Sequence, residues 1–183
     1  MKIHSSEKFQ QPMANSCQQS AINQKLSESM SESESMSQYC YKYPHPAVTA
    51  DCVIFGFDES DNMKVLLIQR GNDPYKGKWA FPGGFMNIDE SAEQCARREL
   101  EEETGLKDVA VEQFYTFTDV NRDPRERVIT VAHYALVKLS EVKAKDDADD
   151  AQWFSLDEIP PLAFDHEEIL NKALQTLKER KKL

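Results

Sequence analysis

Apolar and polar positions alternate between two periods along this chain. Val48-Thr-Ala-Asp-Cys-Val-Ile-Phe-Gly-Phe57 and Lys64-Val-Leu-Leu-Ile-Gln-Arg70 read as strands joined by the polar connection Asp58 to Asn62. Gly71 to Gly77 reads as a loop, and Trp79 to Phe85 as a short strand leading into a helix over 91–104. Val109 to Phe117 is a further strand, and Asn121-Arg-Asp-Pro-Arg125 a turn-rich loop. Val128 to Leu139 is almost continuously apolar, which suits a strand buried on both faces. An acidic loop over 143–150, a short strand Gln152 to Ser155 and a turn through Ile159 follow. Phe164 to Lys181 closes the chain as an amphipathic helix with Ile169, Ala173, Leu174 and Leu177 on one face.

The helix over 91–104 departs from ordinary patterning. With Glu99 at zero, a step of about 100° per residue places Glu102 near −60° and Glu103 near +40°, among Ala92, Cys95 and Ala96 at about +20°, −40° and +60°. Glu93, Arg97 and Glu101 form a charge ladder on the opposite side. The acids therefore share the apolar face, where like charges repel and lose hydration unless a multivalent cation compensates them. The competing reading is a solvated acidic helix without a ligand. Ser91 with Gln94 forms a capping box, Asp89 and Glu90 suit the positive helix end, and Gly105 suits C′. Arg98, about 40° from Glu102, can orient the acids. Before the helix, Gly83-Gly84 after Trp79-Ala-Phe-Pro82 implies a tight bend with close backbone approach, leaving a bare carbonyl as a hard oxygen ligand. Mg²⁺ or Mn²⁺ suits such a donor set, with substrate phosphates completing the shell.

The run from Gly84 to Leu106 resembles the Nudix box, Gly-x5-Glu-x7-Arg-Glu-U-x-Glu-Glu-x-Gly-U, where U is a bulky aliphatic residue. Gly84, Glu90, Arg98, Glu99, Leu100, Glu102, Glu103, Gly105 and Leu106 fill its fixed positions. The resemblance runs from about Tyr43 to the C-terminus. It implies the Nudix fold, an α/β (α+β) architecture with a mixed β-sheet sandwiched between helices. It implies hydrolysis of a nucleoside diphosphate linked to another moiety. It also implies that Glu99, Glu102, Glu103 and the Gly84 carbonyl hold the metal, with Glu90 and Arg98 as supporting partners.

Composition narrows the picture further. A net charge of −10 over 183 residues argues against nucleic acid or an anionic membrane as main partner. No apolar run is long enough to span a bilayer, and no charged-then-apolar signal opens the chain. Cys17, Cys40, Cys52 and Cys95 lack metal-type pairing. Cys52 and Cys95 fall in apolar patterns as small core residues, which fits a reducing, cytoplasmic setting. Residues 1–37 hold ten serines and almost no β-branched or aromatic residue, so they read as a disordered tail ahead of one domain over 38–183. A phosphoserine-regulated arm, or a true start at Met30 or Met36, are the other readings of that stretch.

The outer segments Tyr43-Pro-His-Pro-Ala-Val-Thr, Gln69-Arg70, Pro74 to Phe85, Arg122-Asp-Pro-Arg125 and Pro161-Leu-Ala-Phe-Asp-His166 resemble ADP-ribose pyrophosphatases and the Nudix halves of proteins in NAD metabolism. They imply ADP-ribose, or a close nucleoside-diphosphate sugar, cut to AMP and a sugar phosphate. Arg70, Arg122 and Arg125 are the phosphate or ribose candidates, against a role in surface solvation, and Gly83 offers a close backbone approach to substrate. Among Tyr75, Phe81, Tyr115 and Phe117 one ring could stack on adenine, although Tyr115 and Phe117 at strand spacing also suit the core. His45, His133 and His166 are scattered, and His133 reads as a core residue. Glu99 is the first candidate for the base that takes a proton from water, and an acid in the Asp146–Asp150 loop the second. Two other functions stay open: hydrolysis of another nucleotide, such as an oxidised dNTP, and a non-catalytic ADP-ribose sensor. Sensors of that kind usually continue into a winged-helix module and often have a degraded box; here the box is intact and the chain ends at Leu183. The sequence does not fix the oligomeric state; a homodimer is the analogy that related pyrophosphatases offer.

Overall fold

A computed structural model of the chain describes residues 41–139, 142 and 148–180; the tail expected over 1–37 lies outside them. The chain divides into two units, Met1–Pro44 and His45–Leu183. In the first, residues 41–44 are exposed, with Lys42 Nζ 5.3 Å from the centre of the Tyr43 ring.

The second unit is built on a seven-stranded mixed sheet. Strand β1 (Ala47–Phe57) carries an almost unbroken buried run, from Thr49 to Gly56. The reason is its central place: β6 (Val128–Lys138) pairs with it in parallel along its whole length. On its other edge, β2 (Met63–Arg70) pairs with Phe55 to Phe57, whereas β4 (Gly83–Phe85) pairs with Thr49 to Asp51. β2 continues past β1 and takes up β3 (Trp79–Ala80) at Ile68 and Gln69. β1 and β2 thus meet at one end and part at the other, and residues 79–85 fill the fork. β7 (Ala148–Ser155) pairs antiparallel with β2, and β5 (Glu112–Phe117) with β6.

Alternation along the strands divides the core between two helices. Ala50, Cys52, Ile54 and Leu66 pack with Cys95, Ala96 and Leu100 of α1 (Ala92–Thr104). Val53, Phe55, Val65 and Leu67 pack with Ile169, Leu170, Ala173 and Leu177 of α2 (His166–Glu179). The expected sandwich of a mixed sheet between helices is the observed one. No helix among the described residues is long and apolar enough to cross a membrane.

Several elements differ from expectation. The single strand over 79–85 is two, because Pro82 has no N–H for a ladder; its carbonyl instead accepts from Cys52 N at 2.8 Å. The strand expected from Val109 starts at Glu112, since Val109 and Val111 are drawn onto the α1 cluster. The acidic loop over 143–150 ends earlier than expected, as pairing with β2 extends β7 back to Ala148 despite Asp149 and Asp150. β6 is less buried than its composition suggested, with Leu136 37% exposed. The last helix starts at His166, not Phe164, because Phe164 takes a left-handed φ of 52°.

Candidate active site

Helix α1 is closed at both ends as its sequence requires. Gln94 N donates to Ser91 Oγ at 3.2 Å, and Ser91 N donates to Gln94 Oε1 at 2.8 Å. Gly105 takes φ 76° and donates its N–H to Glu101 O at 2.9 Å. Both caps hold the register of the acids against the fork in the sheet.

Arg98 organises that cluster. Its Nε and Nη2 form a fork onto Glu90 at 3.0 and 2.6 Å, and Nη1 donates to Glu99 Oε1 at 2.7 Å and to Glu102 Oε2 at 2.9 Å. Nη2 also reaches the Phe85 carbonyl at 3.2 Å. The Arg98 hydrogen bonds hold the Glu90 carboxyl down at about 2 and raise the basicity of Arg98 itself. Glu99 sits above its ordinary range because burial outweighs the Arg98 contact. Burial, with Glu99 and Asp51 nearby, pushes Glu103 up to about 8 against the N–H of Gly83, which donates to Glu103 Oε2 at 2.9 Å, and the charge of Arg70.

The three acids are not equivalent. Glu103 is only 9% exposed, and it lines, with Glu99, a cavity of about 400 Å³. The Glu102 side chain is 44% exposed and does not line it. The buried face of α1 is centred between Cys95 and Leu100, which sets Glu102 at its margin. Among the described residues, no three His, Cys, Asp or Glu side chains converge tightly enough to enclose a cation. Glu103 is nevertheless a nearly buried carboxylate that pairs with one peptide N–H and no cation, and the nearby oxygens of Glu99 and Gly84 are hard donors. This donor set fits a divalent cation with oxygen ligands. The glycines are required by the same crowding. A Cβ on Gly84 would lie 2.5 Å from Glu99 Cδ, and one on Gly83 would lie 2.5 Å from both Ala50 O and Asp51 Oδ1.

The three arginines differ too. Arg122 is almost fully buried and spends its fork on Asp165, at 2.8 and 2.6 Å. Arg125 is held by Asp123 through Nε at 3.0 Å and Nη2 at 2.7 Å, and lies 4.9 Å from the Phe85 ring. Burial raises the Asp123 carboxyl, but the Arg125 hydrogen bonds outweigh it, and the net shift is downward. Arg70 makes no ion pair with any described carboxylate. It donates to the Pro74 carbonyl at 2.8 Å and stacks 4.8 Å over Phe164. All three line the cavity.

The family model for the NUDIX domain matches residues 45–175, and so takes in this whole constellation. The chain belongs to the Nudix family. An ADP-ribose pyrophosphatase of Methanocaldococcus jannaschii is 44% identical over 128 residues, covering 70% of this chain and 73% of that protein. The ADPR responsive transcriptional repressor NtrR of Acinetobacter baylyi is 35% identical over 156 residues. That match covers 82% of this chain but only 62% of the repressor. The NUDIX domain of Shewanella oneidensis NrtR, solved in complex with ADP ribose, superposes with a TM-score of 0.70 at 34% identity, covering 81% of this chain and 99% of that domain.

Other residues of the Nudix site fall as follows. Phe81 is buried and stacks on His166 with centroids 5.2 Å apart. Tyr75 meets Phe164 edge-on, whereas Tyr115 and Phe117 lie on β5 away from this cavity. His133 is a core residue, with Nδ1 3.0 Å from the Val131 carbonyl oxygen. Asp149 is exposed and Asp150 does not line the cavity; Asp146 and Asp147 lie outside the described residues. Cys52 and Cys95 are buried free thiols, and burial pushes Cys95 up to about 12, which leaves it inert. Sequence reasoning passed over Asp51, and took Asp123 and Phe164 only as parts of the outer segments without a role of their own; all three line the cavity. Asp51 had a signal: it is the lone charge in an otherwise apolar strand. In the fold it is 7% exposed and accepts from Thr130 Oγ1 at 2.5 Å.

Proposed function

We propose that this Nudix chain hydrolyses the pyrophosphate bond of ADP-ribose to give AMP and ribose 5-phosphate. One observation carries the reading: a single cavity is lined by Glu99 and Glu103 and by an arginine, Arg70, that makes no direct ion pair with a described carboxylate. The 44% identity to an ADP-ribose pyrophosphatase and the likeness to a domain that holds ADP ribose support the substrate.

Glu99, Glu102, Glu103 and the Gly84 carbonyl would hold Mg²⁺ or Mn²⁺. Such an ion, when bound, acidifies water and neutralises charge on phosphoryl oxygens. The protein supplies the rest. Arg98 keeps Glu90, Glu99 and Glu102 in one fixed arrangement. Gly83 N–H orients Glu103. Arg70 presents a guanidinium to a phosphate, and Arg125 lies beside it against Phe85 and Phe164. Arg122 acts through Asp165, bracing the start of α2. Glu99 accepts the proton of the attacking water: it lines the cavity, and burial lifts its basicity. The water oxygen bonds to phosphorus as the bridging P–O bond breaks. The cytoplasm is the natural compartment for the two free thiols, and assembly is proposed as a homodimer by analogy.

Incubation with Mg²⁺ and a panel of ADP-ribose, other nucleoside-diphosphate sugars and an oxidised dNTP, with products identified by mass, tests the reading. AMP and ribose 5-phosphate are the expected products. Faster consumption of another nucleotide would reassign the substrate. Tight ADP-ribose binding without product would favour a sensor, the reading that the 35% identity to an ADPR responsive repressor supports. Gly84→Ala is expected to cut turnover on the order of 10²-fold by displacing Glu99. Unchanged turnover in that variant would show that the close approach is dispensable.

A further inference from the structure

His166 opens helix α2 and is only 4% exposed, yet it lines the cavity. Its ring lies between Phe81, stacked at 5.2 Å, and Phe164, tilted at 5.6 Å. Phe81 N donates to His166 Nδ1 at 2.9 Å. Nδ1 is therefore the acceptor, and the ring proton of the neutral imidazole resides on Nε2. Burial pushes the imidazole below its ordinary pKa and keeps it neutral. Nε2 itself hydrogen-bonds to no described residue. Since no fully buried side-chain polar atom among those residues lacks a partner, Nε2 reaches open space, and the open space this ring borders is the cavity.

We propose that His166 is a substrate-contacting residue whose Nε2–H donates a hydrogen bond to an oxygen of the bound nucleoside diphosphate derivative. The proposal rests on reading the cavity as the nucleotide site. The peptide N–H of Phe81 acts as the lock: it selects the tautomer, and the flanking rings fix the plane. The donor carries no charge, so it complements Arg70 without adding to the repulsion between Arg70 and Arg125. The accepting oxygen belongs either to the diphosphate or to the terminal sugar.

Two substitutions separate this role from a structural one. H166N keeps an acceptor near the position of Nδ1 for Phe81 N and removes the distal donor. H166Q does the reverse. A donor to substrate predicts that H166N raises KM for ADP-ribose roughly three- to tenfold, the range for one hydrogen bond, with kcat moving less. H166Q, the conservative variant for this role, is expected to restore most of that loss. Competition by ADP locates the partner: weaker inhibition of H166N by ADP assigns the diphosphate, and unchanged inhibition assigns the terminal sugar. If the chain binds without turnover, Kd from calorimetry takes the place of KM. In the unaltered full chain, labelled with nitrogen-15 histidine, the Nε2–H resonance of His166 is expected to move when ADP-ribose is added. H166N indistinguishable from wild type, H166Q as impaired as H166N, or a stationary resonance would each overturn the contact. A wild-type protein that neither binds nor consumes ADP-ribose would instead overturn the underlying functional reading, and this contact with it.

Discussion

Glu103→Gln is expected to lower kcat for ADP-ribose by roughly 10³-fold, the equivalent of about 4 kcal/mol of lost transition-state stabilisation at a metal site. The fold should survive, and at alkaline pH it should become more stable. Glu103 is nearly buried, and burial pushes its pKa up to about 8, against an ordinary value of 4.5. Between those two pH values the folded protein without metal holds a proton that the unfolded chain has released. Stability therefore declines as pH rises through that window. Gln carries no such proton and removes the decline. Thermal melts in chelator at pH 5 and pH 8.5 provide the check: the wild-type Tm drops more than that of the variant. Added Mg²⁺ at the higher pH restores the wild type and leaves the variant unmoved. Near-wild-type turnover by Glu103→Gln would remove the proposed ligand from the mechanism.

Arg98→Ala should differ in kind, because stability and turnover fall together. The guanidinium holds Glu90, Glu99 and Glu102 and meets the Phe85 carbonyl. Without it, three neighbouring carboxylates repel one another, Glu90 and Glu99 with little water to screen them and Glu102 at the half-exposed margin. The expected cost is roughly 2–4 kcal/mol, below the range for a fully buried pair because the Arg98 side chain is 28% exposed. Urea denaturation measures it as a lower midpoint at unchanged slope. Arg98→Lys should recover only part of this, since an ammonium cannot make the two-pronged contact with Glu90 and also reach the other acids. Equal midpoints for wild type and Arg98→Ala would mean that the acids do not depend on their clasp.

The helical half of the site was legible because its determinants are local. The Ser91–Gln94 box, the glycine stop at 105 and the i, i+3, i+4 placement of Glu99, Glu102 and Glu103 need only a helical step. β1 was legible as a strand for the same reason, from a local run of apolar residues. What escaped depends on residues far apart in the chain. Nothing near Arg122 indicates that Asp165 will occupy its fork, so three arginines looked alike in sequence and proved to have different duties. The two partners of the segment broken at Pro82, β2 before it and β1 after it, are set by distant strands, and the early start of β7 follows from its partner β2. Glu102 was placed level with its neighbours because the angular reading was centred on Glu99. The packed face lies further toward Leu100.

The divergence of β1 from β2 has a mechanical implication. A hydrogen-bonded sheet has no room for a ligand between adjacent strands, and here residues 79–85 act as a splint that keeps two of them from zipping shut. Chemistry takes place at a seam left deliberately unsewn. The same splint also lines the cavity with Ala80, Phe81, Gly83, Gly84 and Phe85, so the piece that holds the strands apart is the piece that shapes the hollow between them.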